Sequence, residues 1–579
     1  MLMIDDGILQ KAQVWLDGNY DQTTKNEIQK LIDNKEFDIL SDSFYKDLEF
    51  GTGGIRGIMG PGTNRVNIYT IGKATQGLCN HLLQSYPGEN ISVAIAYDSR
   101  NNSDILSEVT RDVFTANGIK VYFFFEMRPT PQLSYAIRQF GCKSGVMLTA
   151  SHNPREYNGY KAYGMDGCQV VTPEDRQIIE EVRKIDSLEQ VNFKGNPDLV
   201  EIIDASFDDK FHNAVLSQCL DKKAVENQSD LKIVFTPLHG AGAVSVPLAL
   251  NKMGFTNVIA VEEQMIPDGN FPTVIFPNPE EAEAMTMALN KAIKVDADIV
   301  MATDPDADRV GIAVKNDKGD FVLLNGNQTA VLIFDYVMNS WKKHGKITGK
   351  QYIVKTIVTS DLLDKMAEWY EVKCYNTLTG FKHLGSVITK LENKEEFIVG
   401  GEESYGYLIG DHARDKDAVV TCCVLAEMCA FYKENGQSMY DALKMLHWHH
   451  GLYQEKLISI KKEGKKGTEE IKKMMEGFRR KPPKYIAGGD VIRQKDFLEG
   501  KDYDLVNGTL SAIDLPVSNV LQFITADGTK VSARPSGTEP KIKFYCSVNK
   551  KLKEGEDYES AVSELNSKID HILSDLGLL

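Results

Sequence analysis

At 579 residues the chain is too long for one hydrophobic core, and length alone argues for three to five domains. A formal charge of −16 speaks against a nucleic-acid binder, so any anionic ligand has to be drawn in by a local basic cluster working against the net field. The nine cysteines show no CxxC pairing or regular spacing, which favours buried free thiols over a zinc site or a disulfide scaffold.

Met1-Leu2-Met3-Ile4-Asp5-Asp6 lacks the basic and apolar regions of a signal peptide. No apolar run approaches the roughly 20 residues that span a bilayer. The expectation is a protein of the reducing cytoplasm, with no membrane and no nucleic acid among its partners.

Residues 8–40 read as two polar amphipathic helices, from Ile8 and from about Asp21. Gly51-Thr52-Gly53-Gly54-Ile55-Arg56-Gly57 follows. It is not a dinucleotide fingerprint, because a GxGxxG starting at Gly51 needs Gly where Arg56 stands. A glycine-rich loop ending in Arg can instead bring backbone N–H groups and a guanidinium to an anion.

A strand–helix rhythm then begins: strand Ile91–Ala96, helix Ser103–Ala116, strand Val121–Phe125, helix Gln132–Phe140 and the strand Gly145–Leu148. It recurs with Lys232–Phe235, a helix near Val244–Met253, Val258–Val261, a helix from Glu280 and Ala297–Ala302. A third set comprises Phe321–Leu324, the helix Gln328–Trp341, Tyr352–Val354, the helix Leu362–Trp369, Phe397–Val399 and the helix Ala418–Glu434. Alternation at this spacing predicts parallel βαβ units. After Asn435-Gly436 come a helix near Ser438–Leu446, a basic stretch from Lys461 to Lys481 that reads as a solvated helix face, short alternating strands and a closing helix around Tyr558–Leu576. The fold class expected is α/β. Three similar mixed α/β domains (1–205, 206–315 and 316–438) and a C-terminal α+β domain (439–579) would surround a central cleft.

Four stretches carry chemistry. Thr149-Ala150-Ser151-His152-Asn153-Pro154 follows a buried strand and puts a hydroxyl, an imidazole and, ten residues after the serine, the amine of Lys161 at a strand end. Thr303-Asp304-Pro305-Asp306-Ala307-Asp308-Arg309 also follows an apolar strand, and its three alternate carboxylates can converge on one hard cation such as Mg²⁺. It is no EF-hand, since the sixth position is Arg309 and the twelfth Lys315. Gly401-Glu402-Glu403-Ser404 offers the acceptors and donor that a sugar with adjacent hydroxyls requires. Arg534-Pro535-Ser536-Gly537-Thr538-Glu539-Pro540-Lys541 has the composition of a phosphate cradle, and there is no Walker A motif. A hydroxyl nucleophile, a metal loop, a sugar loop and a phosphate cradle together point to phosphoryl transfer on a sugar phosphate.

In these four motifs and their order the sequence resembles the α-D-phosphohexomutase family over nearly its whole length. The resemblance implies that Ser151 carries a phosphoryl group and that Asp304, Asp306 and Asp308, with Ser151, hold Mg²⁺. It further implies that His152 and Lys161 serve catalysis, with Lys161 a candidate general base that would need cations such as Arg309 and His152 to depress its pKa. Thr52, Arg56, Arg309, Thr379, Gly380, Glu402, Ser404, Arg534, Ser536, Gly537, Thr538 and Lys541 are the substrate-binding residues it implies. Hexose monophosphates, with pentose phosphates as an alternative, would be the substrates, and glucose 1,6-bisphosphate the activator and intermediate. Gly401-Glu402-Glu403-Ser404 is similar to the form that glucose-active members carry, mannose- and aminosugar-active members commonly having another residue where Glu403 stands, so the resemblance implies a glucose phosphate. Phosphomannomutase, phosphopentomutase and Mg²⁺-dependent sugar phosphatase activities stay open at this point, as does the choice between monomer and weak dimer.

Overall fold

The computed structural model describes residues 5–51, 53–462, 464–536 and 541–578. Strands β1 (Gly54–Ile58), β2 (Ser92–Tyr97), β3 (Lys120–Phe124), β4 (Ser144–Leu148), β5 (Tyr157–Gly164) and β6 (Val200–Ile203) form a first sheet in the order β1-β5-β4-β2-β3-β6. A second sheet, β11-β10-β9-β7-β8, uses β7 (Ile233–Thr236), β8 (Val258–Ala260), β9 (Ile299–Thr303), β10 (Val310–Lys315) and β11 (Phe321–Leu324). A third, β13-β12-β14-β15, uses β12 (Gln351–Thr356), β13 (Lys373–Thr377), β14 (Glu396–Gly401) and β15 (Tyr407–Ile409).

The parallel reading holds for one side of each sheet, out to the edge strands β6, β8 and β13. In all three, a buried parallel strand (β4, β9 or β14) turns through a polar loop into an antiparallel partner (β5, β10 or β15). Strands β4 and β9 are buried at every residue, as expected where helices cover both faces of a parallel sheet. Each of those three loops is one of the chemistry-bearing stretches. The Ser151 loop, the Asp304 loop and the Glu402 loop are therefore topological equivalents, one per sheet.

The fourth sheet is antiparallel in every pairing, with one register shift between β18 and β21: β16 (Leu452–Lys461), β17 (Tyr485–Ile486), β18 (Gly489–Asp496), β19 (Lys501–Asp504), β20 (Thr509–Ala512), β21 (Leu521–Thr525), β22 (Lys530–Pro535) and β23 (Lys541–Lys550). The helix Tyr558–Asp575 packs on it, burying Ala561, Leu565, Ile569 and Ile572 at helical spacing.

Several expectations shift. Among the described residues three helices, not two, precede β1: Asp6–Asp17, Gln22–Asp33 and Phe37–Phe44. The third closes a small core in which Leu40 and Phe44 meet Trp15 and Ile28. Phe321–Leu324 pairs with β10 and so belongs to the second sheet, which carries that unit past residue 315 to Leu324. Two elements lie outside the sequence reading: Lys373–Thr377, a polar edge strand, and the helix Phe381–Leu391, which buries Phe381, Leu384 and Ile388 at helical spacing. The Lys461–Lys481 stretch is largely the helix Gly464–Arg480, which buries Ile471 and Met475 and pairs Arg479 with Asp496.

Core packing joins the first three units. One continuous apolar cluster includes Met147 and Tyr163, Phe235 and Met301, and Ile353 and Val399. At its centre lies the helix Ala418–Glu434, apolar on nearly every face and capped by Asp417 Oδ1, which accepts from Val419 N at 2.7 Å and Val420 N at 3.0 Å. The main C-terminal cluster, by contrast, draws its buried members only from Leu452 to Leu573.

Candidate active site

The Ser151 loop is fixed from behind by one arginine. Arg100, itself buried, donates to Ser151 O (2.6 Å), Pro154 O (2.9 Å) and Tyr157 O (3.0 Å), and also to Asn153 O. Thr149 Oγ1 links the loop to Asp98 and accepts from Ser151 N at 2.8 Å. Ser151 has a φ of 54°, a left-handed conformation uncommon outside glycine. Ala307 (φ 49°) and Tyr405 (φ 64°) repeat it in the two equivalent loops. Such backbone strain is held only where surroundings over-determine it, as they do here.

Ser151 Oγ donates to Asp304 Oδ2 at 2.9 Å and lies 3.1 Å from His152 Nδ1. Burial, followed by Arg309 and Arg56, pushes the His152 imidazole well below its usual range, so the ring is neutral near pH 7. In the glycine-rich stretch, Gly54–Ile58 is an edge strand paired with Tyr157–Lys161, so the backbone of that part is partly committed to the sheet. Arg56 is exposed there and donates to Asn153 Oδ1 at 3.1 Å.

Asp304, Asp306 and Asp308 are fully buried or nearly so and offer oxygens within 4.8 Å of one another. Asp304 Oδ1 accepts from Asp308 N (3.1 Å) and Arg309 N (3.0 Å), which curls the loop inward. Thr130 locks it across the seam with the first unit, its Oγ1 donating to Asp306 Oδ2 at 2.8 Å and its N–H to Asp306 O at 2.9 Å. Burial and the two neighbouring carboxylates push Asp304 well above the ordinary carboxyl range. Asp306 Oδ1 and Asp308 Oδ1 are buried and accept no hydrogen bond from the described residues. Three crowded carboxylates with orphaned oxygens form a donor set that fits a hard divalent cation.

Lys161, on β5, reaches the same triad, with Nζ 2.7 Å from Asp306 Oδ2 and 3.2 Å from Asp308 Oδ2. The expectation that cations depress its pKa is not what its surroundings do. Burial works against its charge, but Asp306 and Asp308 outweigh that and hold Lys161 above its ordinary value. A second amine, Lys416, lies 3.0 Å from Asp308 Oδ2 and 3.0 Å from Asp415 Oδ1 and had no motif to announce it. Despite burial, Lys161, Lys416 and Arg309 hold Asp308 far below the usual range.

Beside the triad lies a cavity of 480 Å³ lined by His152, Arg309, Thr379, Gly380, Glu402, Glu403, Ser404 and Arg534 among the residues anticipated, and by Lys530, Lys543 and Tyr545 among those not. Glu402 Oε1 accepts from Gly380 N at 2.8 Å, which joins those two anticipated residues directly. Glu403 turns the other way, accepting from Thr356 Oγ1 (2.9 Å) and Thr359 Oγ1 (3.2 Å). Gly326 lets the helix start press on this loop, since a Cβ there would sit 1.9 Å from Glu403 O. Arg309 Nη1 pairs with Glu280 at 2.6 Å. Arg534 on β22 stands opposite Lys543 on β23, and alternation sets Lys530, Ser532 and Arg534 on one face, toward the cavity. Ser536 N donates to Lys541 O at 2.7 Å, while the Lys541 side chain is outside the cavity lining. Thr52, Gly537 and Thr538 lie outside the described residues.

Residues 47–189, 209–319 and 325–447 match alpha/beta/alpha domains I, II and III of the phosphoglucomutase/phosphomannomutase family. A "Phosphoglucomutase" of Staphylococcus haemolyticus (strain JCSC1435) is 34% identical over 522 residues, covering 90% of this chain and 94% of the relative. The chain belongs to the phosphoglucomutase/phosphomannomutase family. A second member, "Phosphoglucomutase" of Staphylococcus aureus (strain MRSA252), is 33% identical over 560 residues, 96% of this chain and 98% of its own. Among solved structures, the open form of the Paramecium exocytosis-sensitive phosphoprotein pp63/parafusin superposes with a TM-score of 0.67 at 17% identity, covering 92% of this chain and 95% of that one. A phosphoglucomutase/phosphomannomutase family protein from Burkholderia thailandensis gives 0.65 at 17% identity, covering 91% and 97%. At such identity the likeness speaks for the fold, three α/β units and a C-terminal unit. No helix among the described residues is long and apolar enough to cross a membrane.

Proposed function

We propose that the protein is a phosphoglucomutase, interconverting glucose 1-phosphate and glucose 6-phosphate through a phosphorylated Ser151 and glucose 1,6-bisphosphate. The observation that carries this reading is the convergence of a strained serine hydroxyl, 2.9 Å from Asp304, and three buried carboxylates beside a cavity whose other walls hold Glu402, Ser404 and Arg534. The names of relatives 33–34% identical over most of the chain support the same activity.

In this reading Ser151 Oγ gives its phosphoryl group to a sugar hydroxyl and takes back the group at the sugar's other end. Asp304, Asp306, Asp308 and the Ser151 oxygen would hold Mg²⁺, which when bound neutralises charge on the transferring group. Arg100 keeps Ser151 O and Asn153 O in place, so Oγ approaches from one direction. Neutral His152 shares a hydrogen bond with Oγ. Lys161 holds a proton while paired with Asp306 and Asp308, and can take one from the sugar hydroxyl only in a state where those carboxylates no longer engage it. Glu402 and Ser404 orient the sugar hydroxyls, and Thr379 and Gly380 complete that wall. In this reading Arg309, Arg534, Ser536, Gly537 and Thr538, together with Thr52, Arg56 and Lys541, bind phosphate oxygens, Arg534 by a bidentate fork on the group that is not reacting.

A coupled assay with glucose 1-phosphate, mannose 1-phosphate and ribose 1-phosphate tests the proposal. Glucose 1-phosphate is expected to give the highest kcat/KM, with activity lost in EDTA, regained with Mg²⁺ and lowered by at least about 10⁴ in Ser151→Ala. Steady release of inorganic phosphate, or normal turnover by Ser151→Ala, would refute it.

A further inference from the structure

The phosphate-gripping strand β22 carries a second cation that the motifs leave unassigned. Lys530 is buried, and its Nζ lies 2.5 Å from Asp361 Oδ1 and donates to Ile357 O at 3.2 Å. Gln522, on the neighbouring β21, donates to the same carbonyl at 2.9 Å. Both acceptors belong to the segment 356–361 of the third unit. The same segment supplies Thr356 and Thr359, whose hydroxyls bind Glu403 beside the sugar-loop residue Glu402. A small mixed core of Ile357, Val358 and Leu378 with Phe497, Val520 and Tyr545 seals the seam. One short segment thus holds the sugar loop on one side and the strand of Arg534 on the other.

We infer that Lys530 is a positioning residue: by anchoring β22 to Asp361 and Ile357 O, it sets the span between Arg534 and the sugar loop, and so the length of sugar phosphate the cavity grips. Lys530 and Arg534 are four residues apart on one strand face, so a shift at the anchor is passed to the guanidinium. Asp361 also meets Lys355 at 3.4 Å, but Lys355 keeps Asp364 at 3.0 Å, so loss of the Asp361 charge leaves Lys355 partnered. The inference rests on the proposed role of Arg534, and its test separates the two.

Lys530→Met, Asp361→Asn, their double variant and Lys530→Arg are compared with the full chain. Each single neutralisation is expected to raise KM for glucose 1-phosphate about tenfold with kcat within about twofold. The double variant should be no worse than either single, and Lys530→Arg should recover most of the loss. Without substrate, hydrogen–deuterium exchange in 356–361 and 530–535 is expected to quicken in both single variants and not in Lys530→Arg. A raised KM in Lys530→Met with Asp361→Asn unchanged would make Lys530 a direct phosphate ligand and overturn the inference, as would additive effects or unchanged exchange. If the unaltered protein does not turn over glucose 1-phosphate, the active-site reading fails, while the exchange data still decide whether the anchor exists.

Discussion

The two ends of the cavity are built differently. At the reacting end, loops from separate units are bonded to one another: Ser151 to Asp304, Thr130 and Lys161 to Asp306, Val310 N to Tyr405 O and Ala418 N to Ala307 O. Beneath them runs a single apolar core shared by the first three units. At the gripping end, Arg534 sits on a sheet with its own core. That sheet meets the third unit through the Lys530–Asp361 pair, the Gln522 bond, the Tyr453 ring packed into the shared core beneath Lys365, and a small seam, and its closing helix is tied to the helix Met439–His450 through His447–Tyr558 and Tyr440–Glu559. Chemistry that tolerates little misplacement is held by many cross-braces. The proposed clamp, which in this reading accepts either phosphate of a turning intermediate, is hung from fewer among the described residues.

This contrast yields opposite kinetic signatures. Asp308→Asn, at the braced end, is expected to lower kcat by about 10³ with a small change in KM, because it removes charge that matters most as the phosphoryl group moves. Arg534→Ala, at the suspended end, is expected to raise KM roughly 10- to 100-fold while kcat stays within about threefold, since the clamp binds ground and transition states alike. Steady-state kinetics check both, and a kcat defect in Arg534→Ala with unchanged KM would erase the distinction.

A smaller effect sharpens it. Burial, reinforced by Glu403 and opposed by Lys416, Arg309 and the Gly380 N–H, raises Glu402 to about 7. The folded state therefore binds a proton that the unfolded chain has released, and stability falls as pH rises from the ordinary carboxyl range to about 7. Glu402→Gln removes that penalty, and its thermal midpoint at pH 8 should exceed that of the unaltered protein, by on the order of 1 kcal/mol in stability. The carboxylate is also the better acceptor for sugar hydroxyls. KM for glucose 1-phosphate should therefore rise as pH falls from 8 to 6 in the unaltered protein and rise less in Glu402→Gln. Parallel pH profiles would remove Glu402 from sugar binding.

Much of this arrangement was legible in the sequence because motif and strand signals coincide. Apolar Gly145–Leu148, Asp298–Ala302 and Glu396–Val399 each lead into a polar loop, and those loops are the ones that meet at the cavity. The antiparallel return strands were less legible, because Val310–Lys315 and Tyr407–Ile409 are as apolar as parallel strands and periodicity carries no direction. Lys416, Lys530, Lys543 and Arg100 were missed for another reason: each is a single basic residue whose importance comes from partners far along the chain. The charge environment of Lys161 was misjudged likewise. Its neighbours in space are Asp306 and Asp308, and nothing local to residue 161 predicts them.

The most direct test is anomalous diffraction from crystals grown with Mn²⁺ in place of Mg²⁺. The account predicts one strong peak bounded by Asp304, Asp306, Asp308 and the Ser151 oxygen, with Lys161 displaced from at least one carboxylate. A metal bound elsewhere, or the triad still closed on Lys161 at saturating Mn²⁺, would contradict it.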